Sequence, residues 1–227
     1  MRIVYEDVTL GGMWITDARG SAPPVQLTAG GHPSGWSSDG EWILYFDGPE
    51  GSASIYRVRA GGGPAEQLTG GGNDFSPRWS PDGSQIAFIS SRDGNMELYV
   101  MAADGSDLRR LTNDPAPDDE AQWSPDGAHL VYVSYRDGAD PLSIGIGNAE
   151  VYVIDLGTDT ARDISNDAAW DGNPAWSPDG DWIAFTRRTD HGQLYVMRPD
   201  GSELQKLPGF ASPKFNDCCP VWQPIAR

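Results

Sequence analysis

Basic residues are scarce in this sequence, which has 16 Lys and Arg against 33 Asp and Glu and a formal net charge of −17 over 227 residues. A chain with this charge repels phosphate backbones, so the composition argues against nucleic acid as a partner and favours cations or basic partners. The sequence also lacks an apolar run long enough for a membrane-spanning helix, and its first residues lack the apolar core of a signal peptide. We therefore expect no membrane insertion.

Cysteine, histidine and catalytic motifs are nearly absent as well. The two cysteines, Cys218 and Cys219, are adjacent and form no disulfide framework, which leaves two free thiols or a strained vicinal disulfide as the alternatives. The sequence has no nucleophile elbow, zincin motif, P-loop or dinucleotide fingerprint. The three histidines are His32, His129 and His191. These absences favour a binding protein over an enzyme.

One pentapeptide recurs along the chain. The sequence "WSPDG" occurs three times and "WSSDG" once, and a fifth Trp without this turn stands near the end of the chain. The five tryptophans are separated by 43, 44, 53 and 46 residues. A period in the mid-forties is the size of one four-stranded blade of a β-propeller. The tryptophans are Trp36, Trp79, Trp123, Trp176 and Trp222.

Each period contains four short runs of β-branched and aromatic residues, separated by Asp-Gly turns, which predict antiparallel hairpins. No helical periodicity of useful length is present. The sequence therefore predicts an all-β, five-bladed propeller that forms a single domain over residues 1–227. We expect the C-terminal strand around Trp222 to complete the N-terminal blade and close the ring. The predicted blades are residues 32–69, 75–112, 119–165, 172–208, and 218–227 together with 2–28.

The repeat unit "PRWSPDGSQIAFISSRDGNMELYVMAADGSDLRRLT" at residues 77–112 resembles the WD40-like repeat of TolB-type β-propellers. These are bacterial periplasmic proteins and their relatives, and the same repeat occurs in propellers attached to prolyl-oligopeptidase-type enzymes. The resemblance covers essentially the whole chain and implies a periplasmic or extracellular location. TolB-type propellers commonly have six blades and an additional N-terminal domain, and this sequence departs from that pattern. Membership of the Tol–Pal system is therefore not expected.

The pentapeptide itself is interpreted as structural. Pro presets φ in the turn, Asp accepts hydrogen bonds from local N–H groups, and Gly takes a left-handed conformation. The Trp is placed to pack between adjacent blades, where its loss would cost about 3–5 kcal/mol if it were fully buried. These turns and those after the third strands share one face, so we expect partners to bind the opposite, loop-rich face.

An acidic residue stands five positions before four of the five tryptophans, and Gly31 holds the fifth place. In a propeller these carboxylates would approach one another around the central channel and repel. A bound Ca²⁺ would relieve that repulsion, with Mg²⁺ as the alternative cation and with Asp119, Glu120, Asn173 and Asn216 as further oxygen ligands. The other interpretation is that each Asp caps the turn before its strand, without a metal. The predicted metal ligands are Asp74, Asp118, Asp171 and Asp217.

Other polar and aromatic residues on the loop-rich face are candidates for partner binding: His32, Glu120, Trp170 and Asn173. Trp170 either stacks on a sugar or peptide side chain or covers its own loop. An insertion within residues 135–149 breaks the symmetry of the repeat and indicates a binding surface. Glu97 and Glu150, with Arg92 and Arg136 nearby, are interpreted as an Arg–carboxylate network that locks adjacent blades.

Two functions follow from these observations. The first is a non-catalytic, monomeric propeller that binds a divalent cation in its channel and a protein, peptide or glycan on its loop-rich face. The alternative is a polysaccharide hydrolase or lyase that acts at the same face, since a ring of carboxylates offers an acid and a base. The sequence favours the binding protein.

Overall fold

The structure is a computed structural model that describes residues 1–137, 148–188, 192–208 and 220–223. Every helix or strand element in the described residues is a β-strand. No helix long and apolar enough to cross a membrane is found among them. The all-β class predicted from the sequence is confirmed.

The strands form five sheets, in which neighbouring strands pair antiparallel and in chain order. Sheet I has three strands, β1 (Arg2–Glu6), β2 (Met13–Asp17) and β3 (Val25–Thr28). Sheet II has four strands, β4 (His32–Trp36), β5 (Trp42–Asp47), β6 (Ser54–Arg59) and β7 (Glu66–Gln67). Sheet III contains β8 (Asp74–Trp79), β9 (Gln85–Ser90), β10 (Glu97–Ala102) and β11 (Arg109–Arg110).

The last two sheets repeat the four-stranded pattern. Sheet IV contains β12 (Asp118–Trp123), β13 (His129–Ser134), β14 (Glu150–Asp155) and β15 (Thr160–Asp163). Sheet V contains β16 (Trp170–Trp176), β17 (Ile183–Arg188), β18 (Gly192–Met197) and β19 (Gln205–Lys206). The predicted four-strand blades are therefore confirmed for sheets II to V.

The predicted fourth strand of sheet I is not shown. Most of the C-terminal segment lies outside the described residues, and residues 220–223 form no strand. Trp222 donates its Nε1–H to the carbonyl oxygen of Ala175 in β16, at 2.9 Å. Ring closure by the C-terminal strand stays a prediction.

The chain divides into two compact units. The first contains residues 1–94 and 99–109, and with them sheets I and II and most of sheet III. The second contains residues 95–98 and 110–227, and with them sheets IV and V. The single domain predicted from the sequence stays a prediction.

The turn chemistry predicted for the pentapeptide is confirmed. In the "SPDG" turn between β12 and β13, Gly127 has φ 73° and donates its N–H to the Ser124 carbonyl oxygen at 3.0 Å. Asp126 accepts hydrogen bonds from the Ser124 hydroxyl and from the N–H of Ala128. The turns that end at Gly40, Gly83 and Gly180 have the same positive φ and the same Gly-to-Ser hydrogen bond.

Three parts of the hydrophobic core lie between neighbouring sheets of one compact unit, and a pentapeptide Trp packs against each of them. Trp36 packs between sheets I and II, Trp79 between sheets II and III, and Trp176 between sheets IV and V. The predicted packing role is confirmed for these three. However, all three side chains are half-buried, so the full cost expected for a buried Trp does not apply.

Candidate functional site

Asp171, one of the predicted metal ligands, is fully buried and forms an ion pair in sheet V. It lies in β16 directly opposite Arg187 of β17. Arg187 donates from Nε to Oδ1 at 2.8 Å and from Nη2 to Oδ2 at 2.6 Å, so both carboxylate oxygens are used. Burial raises the pKa of Asp171, while hydrogen bonds and the charge of Arg187 act in the opposite direction. This carboxylate is therefore matched by a guanidinium of its own sheet.

Asp118 has an equivalent partner in sheet IV. Its side chain is fully buried, and Arg136 donates from Nη2 to the two carboxylate oxygens at 3.4 and 3.3 Å. These bonds are longer than those to Asp171, and burial raises the pKa of Asp118 to about 6. Arg136 also lies 4.5 Å from the centroid of the Tyr152 ring. The guanidinium is therefore held between a carboxylate and an aromatic ring.

Asp74 in sheet III is fully buried and accepts a hydrogen bond from Arg92 Nη2 to Oδ1 at 2.8 Å. Its Oδ2 is buried and has no hydrogen-bond partner among the described residues. Arg92 also lines a polar cavity of about 470 Å³ together with Asn73, Ser91 and neighbouring glycines. Asp74 is thus the least completely paired of the three described aspartates.

The other two positions of the predicted ring differ. Asp217 lies outside the described residues. At Gly31 the backbone has φ 104°, and a Cβ atom there would fall 2.5 Å from the Tyr45 ring. Glycine is therefore required at that position, because the Tyr45 ring occupies the space of a side chain.

These contacts bear on the cation prediction, which assumed carboxylates without positive partners. At Asp74, Asp118 and Asp171 that assumption is wrong, since each has an arginine. Among the described residues no group of three or more His, Cys, Asp or Glu side chains could hold a metal ion. As they stand, the three aspartates do not fit a calcium or magnesium site, and the cation stays an untested prediction.

The predicted Arg–carboxylate network exists, but Arg92 and Arg136 pair within their own sheets, not between adjacent blades. The neighbouring Asp93 and Asp137 accept hydrogen bonds from tyrosine hydroxyls of the same repeat instead. These bonds are Tyr99 to Asp93 at 2.5 Å and Tyr152 to Asp137 at 2.6 Å. The arginines therefore lock each sheet internally.

Glu97 and Glu150 occupy the same position in β10 and β14, and both are buried. Glu97 accepts hydrogen bonds from Arg110 Nη2 at 2.9 Å and from the Thr112 hydroxyl at 2.5 Å. Glu150 accepts a hydrogen bond from the Ser165 hydroxyl at 2.5 Å, and it has no arginine among its described hydrogen-bond partners.

This difference in partners has an electrostatic consequence. Each of the strands β11 and β15 is followed by a hydroxyl residue, Thr112 after β11 and Ser165 after β15. Two positions before the hydroxyl residue, β11 has Arg110 and β15 has Asp163. Burial raises the pKa of Glu150 to about 7, and the charges of Asp171 and Asp163 contribute to the rise.

Glu120 and Asn173, two of the predicted partner-binding residues, bind each other. Glu120 Oε2 accepts the backbone N–H of Asn173 at 2.5 Å, and Oε1 accepts its side-chain amide at 2.9 Å. Both residues have positive φ, 57° and 53°, and both lie at a β-bulge in the first strand of their sheets. The bulge, which the sequence did not indicate, turns these residues toward each other and ties sheet IV to sheet V.

His32 and Trp170, the other two candidates, lie in different compact units. His32 Nδ1 is 2.8 Å from Glu6 Oε2, and the imidazole is largely exposed. Trp170 packs against a small apolar cluster that includes Val133 and Tyr135, and Arg188 lies 3.9 Å from its ring centroid. Trp170 thus covers this cluster. Most of the 135–149 insertion lies outside the described residues.

A second set of acids was missed as a site because the pentapeptide was treated as purely structural. Eight aspartates that are exposed or half-buried lie at one end of the sheets, six of them in turns and two, Asp17 and Asp155, as the last residues of β2 and β14. Hydrogen bonds from serine hydroxyls or turn N–H groups hold the pKa of each below its usual value. They are Asp17, Asp39, Asp82, Asp104, Asp126, Asp155, Asp179 and Asp200.

Comparison with known proteins confirms the resemblance of the repeat. Residues 70–144 match the TolB β-propeller domain family. A putative TolB from Agrobacterium tumefaciens is 23% identical with a TM-score of 0.68, and the match covers 87% of this chain and 73% of that one. For TolB from Acinetobacter baumannii the values are 24% and 0.68, with coverage of 91% and 52%.

An enzyme shares the fold as well. An oligogalacturonate lyase from Vibrio parahaemolyticus is 17% identical with a TM-score of 0.66, and the match covers 91% of this chain and 59% of that one. The fold of this chain is similar to that of the TolB β-propellers, and the match to the family model covers residues 70–144.

Proposed function

We propose that this protein is a non-catalytic β-propeller scaffold that binds a protein partner through a basic segment of that partner. The set of turn aspartates carries the proposal. These carboxylates are exposed or half-buried and are ionised across the physiological range, and the hydrogen bonds of their turns lower their pKa values further.

The distribution of charge supports the same function. The three buried aspartates at the sheet starts are neutralised by Arg92, Arg136 and Arg187 inside the fold. The turn aspartates accept hydrogen bonds from neutral serine hydroxyls and backbone N–H groups, mostly at Oδ1 and in Asp17 and Asp82 also at Oδ2. The surplus of acid over base in the sequence is therefore carried largely by exposed groups, which attract a positively charged partner.

A protein is the class of partner that the TolB-like fold supports, and a peptide segment or a glycan is the finer alternative. The periplasmic location that the sequence resemblance implies is likewise supported by the similarity to TolB proteins. We include the periplasm in the proposal, since an acidic scaffold there would meet basic segments of secreted proteins.

Fluorescence anisotropy tests the proposal. The probe is a labelled arginine-rich peptide, and the control is the same peptide with citrulline, the neutral isostere, in place of every arginine. We expect saturable binding of the arginine peptide only, weakening by about tenfold or more between about 50 mM and about 300 mM salt, because exposed charges are screened.

A variant locates the binding charges. Replacing Asp39, Asp82 and Asp104 by Asn keeps the turn acceptor at Oδ1 and removes three surface charges, so it should weaken binding of the arginine peptide while the fold persists. Equal affinity for the arginine and citrulline peptides would overturn the proposal, as would an unchanged affinity in the triple variant whose circular dichroism matches the parent.

The alternative function, a polysaccharide hydrolase or lyase, draws on the fold shared with oligogalacturonate lyase. Among the described residues, His32 pairs with Glu6, and His129 lies between Asp126 and Asp155. An activity screen on pectic and neutral glycans, with Asp118→Asn and Asp171→Asn as controls, tests it. Turnover that these substitutions abolish would favour the enzyme over the scaffold.

A further inference from the structure

A cavity of about 300 Å³ lies between sheets IV and V, at the end that carries the "SPDG" turns. Trp176, Val153, Pro125 and Pro199 are among its lining residues, so much of its wall is apolar. Two copies of the pentapeptide meet here, since a Cβ at Gly180 would lie 3.8 Å from Pro125 Cδ. Its size is at the lower end of the range for ligand sites, which suits a single side chain or a small molecule.

Half of the polar residues that line the cavity are acidic, and the others are Ser124, His129 and Arg162. Asp126, Asp179 and Asp200 all line it, against one guanidinium, that of Arg162. In each aspartate Oδ1 accepts the hydrogen bonds that hold its turn, whereas Oδ2 accepts none from the described residues. Three carboxylate oxygens are therefore available to a ligand, and an aromatic wall stands beside them.

Two positions beside the cavity carry smaller side chains than their counterparts in sheet II. His129 begins β13 and Val153 lies within β14. In sheet II the residue equivalent to His129 is Trp42, and the residue equivalent to Val153 is Arg57. The strand registers show the second equivalence, because Arg57 lies opposite Leu44 just as Val153 lies opposite Val131. There the Arg57 guanidinium lies 4.4 Å from the centroid of the Trp42 ring. The repeat thus contains its own example of these positions filled by an indole and a guanidinium.

The backbone acceptor at the same place recurs in both pairs of sheets. Arg57 Nη1 donates to the Ala103 carbonyl oxygen at 2.8 Å between sheets II and III. Between sheets IV and V, Arg162 Nη2 donates to the Pro199 carbonyl oxygen at 2.8 Å. Arg162 reaches this acceptor from β15, and Val153, at the position of Arg57, carries no guanidinium.

Guanidinium groups lie over indole rings repeatedly in this protein, which shows the contact that this chemistry favours. Four such pairs have a guanidinium carbon within 4.4 Å of a ring centroid: Arg57–Trp42 (4.4 Å), Arg59–Trp42 (4.3 Å), Arg198–Trp182 (4.1 Å) and Arg188–Trp170 (3.9 Å). Trp176 has no guanidinium over its ring among the cation–aromatic contacts of the described residues.

We propose that this cavity binds one arginine side chain of a partner protein, with the guanidinium beside the Trp176 indole and donating to the available oxygens of Asp126, Asp179 and Asp200. The site rests on the proposed function for the sign of the partner's charge. The site specifies an arginine as the residue that the partner supplies. It also places the binding surface at the end of the sheets that carries the turns, opposite to the loop-rich face that the sequence favoured.

Nuclear magnetic resonance titration with Nα-acetyl-arginine amide tests the site, with Nα-acetyl-citrulline amide as the neutral control. The indole N–H signal of Trp176, assigned by its loss in Trp176→Phe, should shift saturably with the arginine compound and not with the citrulline compound. Asp179→Asn keeps the turn acceptor and should weaken binding by about two- to fivefold. Asp82→Asn, the same change in sheet III, removes a charge that does not line the cavity and should leave the affinity for Nα-acetyl-arginine amide unchanged.

The double variant His129→Trp/Val153→Arg places the sheet II residues in the cavity and should abolish the Trp176 shift. If the double variant fails to fold, the comparison of Asp179→Asn with Asp82→Asn tests the site by itself. Equal shifts with both compounds, or equal effects of the two Asn variants, would overturn the site. The proposed function is tested separately, because the Asp39, Asp82 and Asp104 variant should weaken the long arginine peptide without changing the cavity.

Discussion

The clearest test of the buried charges compares Glu150→Gln with Glu97→Gln, two identical changes at equivalent positions. Glu150 is buried, and its pKa is raised from 4.5 to about 7. The folded state therefore retains a proton between these pH values that the unfolded state has lost, so stability falls as pH rises through this window. Ionised Glu150 costs the folded state about 3 kcal/mol at about pH 8.

Glutamine removes that cost but weakens the hydrogen bond from the Ser165 hydroxyl by about 1 kcal/mol. Glu150→Gln should therefore raise the free energy of unfolding by about 1–2 kcal/mol at about pH 8 and leave it level or slightly lower at about pH 5. Glu97→Gln should lower it by about 1–3 kcal/mol at both pH values, because Arg110 loses its carboxylate partner.

Urea unfolding followed by tryptophan fluorescence measures both variants. The opposite signs at about pH 8 are the decisive result, since the two substitutions are chemically the same. The electrostatic account of Glu150 would be refuted if Glu150→Gln destabilised the protein at about pH 8, or if its effect were the same at both pH values.

The remaining predictions concern the arginine pairs and the cation. Arg187→Met should lower the free energy of unfolding by about 3–5 kcal/mol, because Asp171 is left buried and unpaired. Arg198→Ala removes a more exposed pair and should lower it by about 1 kcal/mol or less. Urea unfolding at neutral pH checks both, and similar losses would contradict the pairing account. Calorimetry of EDTA-treated protein should show no Ca²⁺ binding at millimolar or lower concentration, since each described ring aspartate has an arginine; saturable binding would restore the calcium site.

The sheets could be predicted from the sequence because their signals are local. Each "SPDG" turn fixes its own hydrogen bonds, and the apolar runs between turns, such as Ile86–Ile89, are buried. The fate of the C-terminal strand depends on pairing across the whole chain, which no local signal specifies.

The partners of the ring aspartates could not be predicted, because the arginine comes from different places in the repeat. Arg92 and Arg136 follow the second strand, whereas Arg187 lies within it, opposite Asp171. A search at a fixed offset from the Trp therefore finds the acids and misses their bases. The cavity was hidden for a related reason, since it lies beside Val153, which is smaller than its counterpart in sheet II.

Hydrogen–deuterium exchange with and without the arginine-rich peptide shows directly whether the peptide binds the end of the sheets that carries the turn aspartates. With the peptide bound, we expect slower exchange in the turn segments, above all 124–128 and 177–181. Exchange in segment 70–73, at the opposite end of sheet III, should be unchanged. Protection confined to 70–73 and the other loops of that end would contradict this expectation and return the binding site to the loop-rich face.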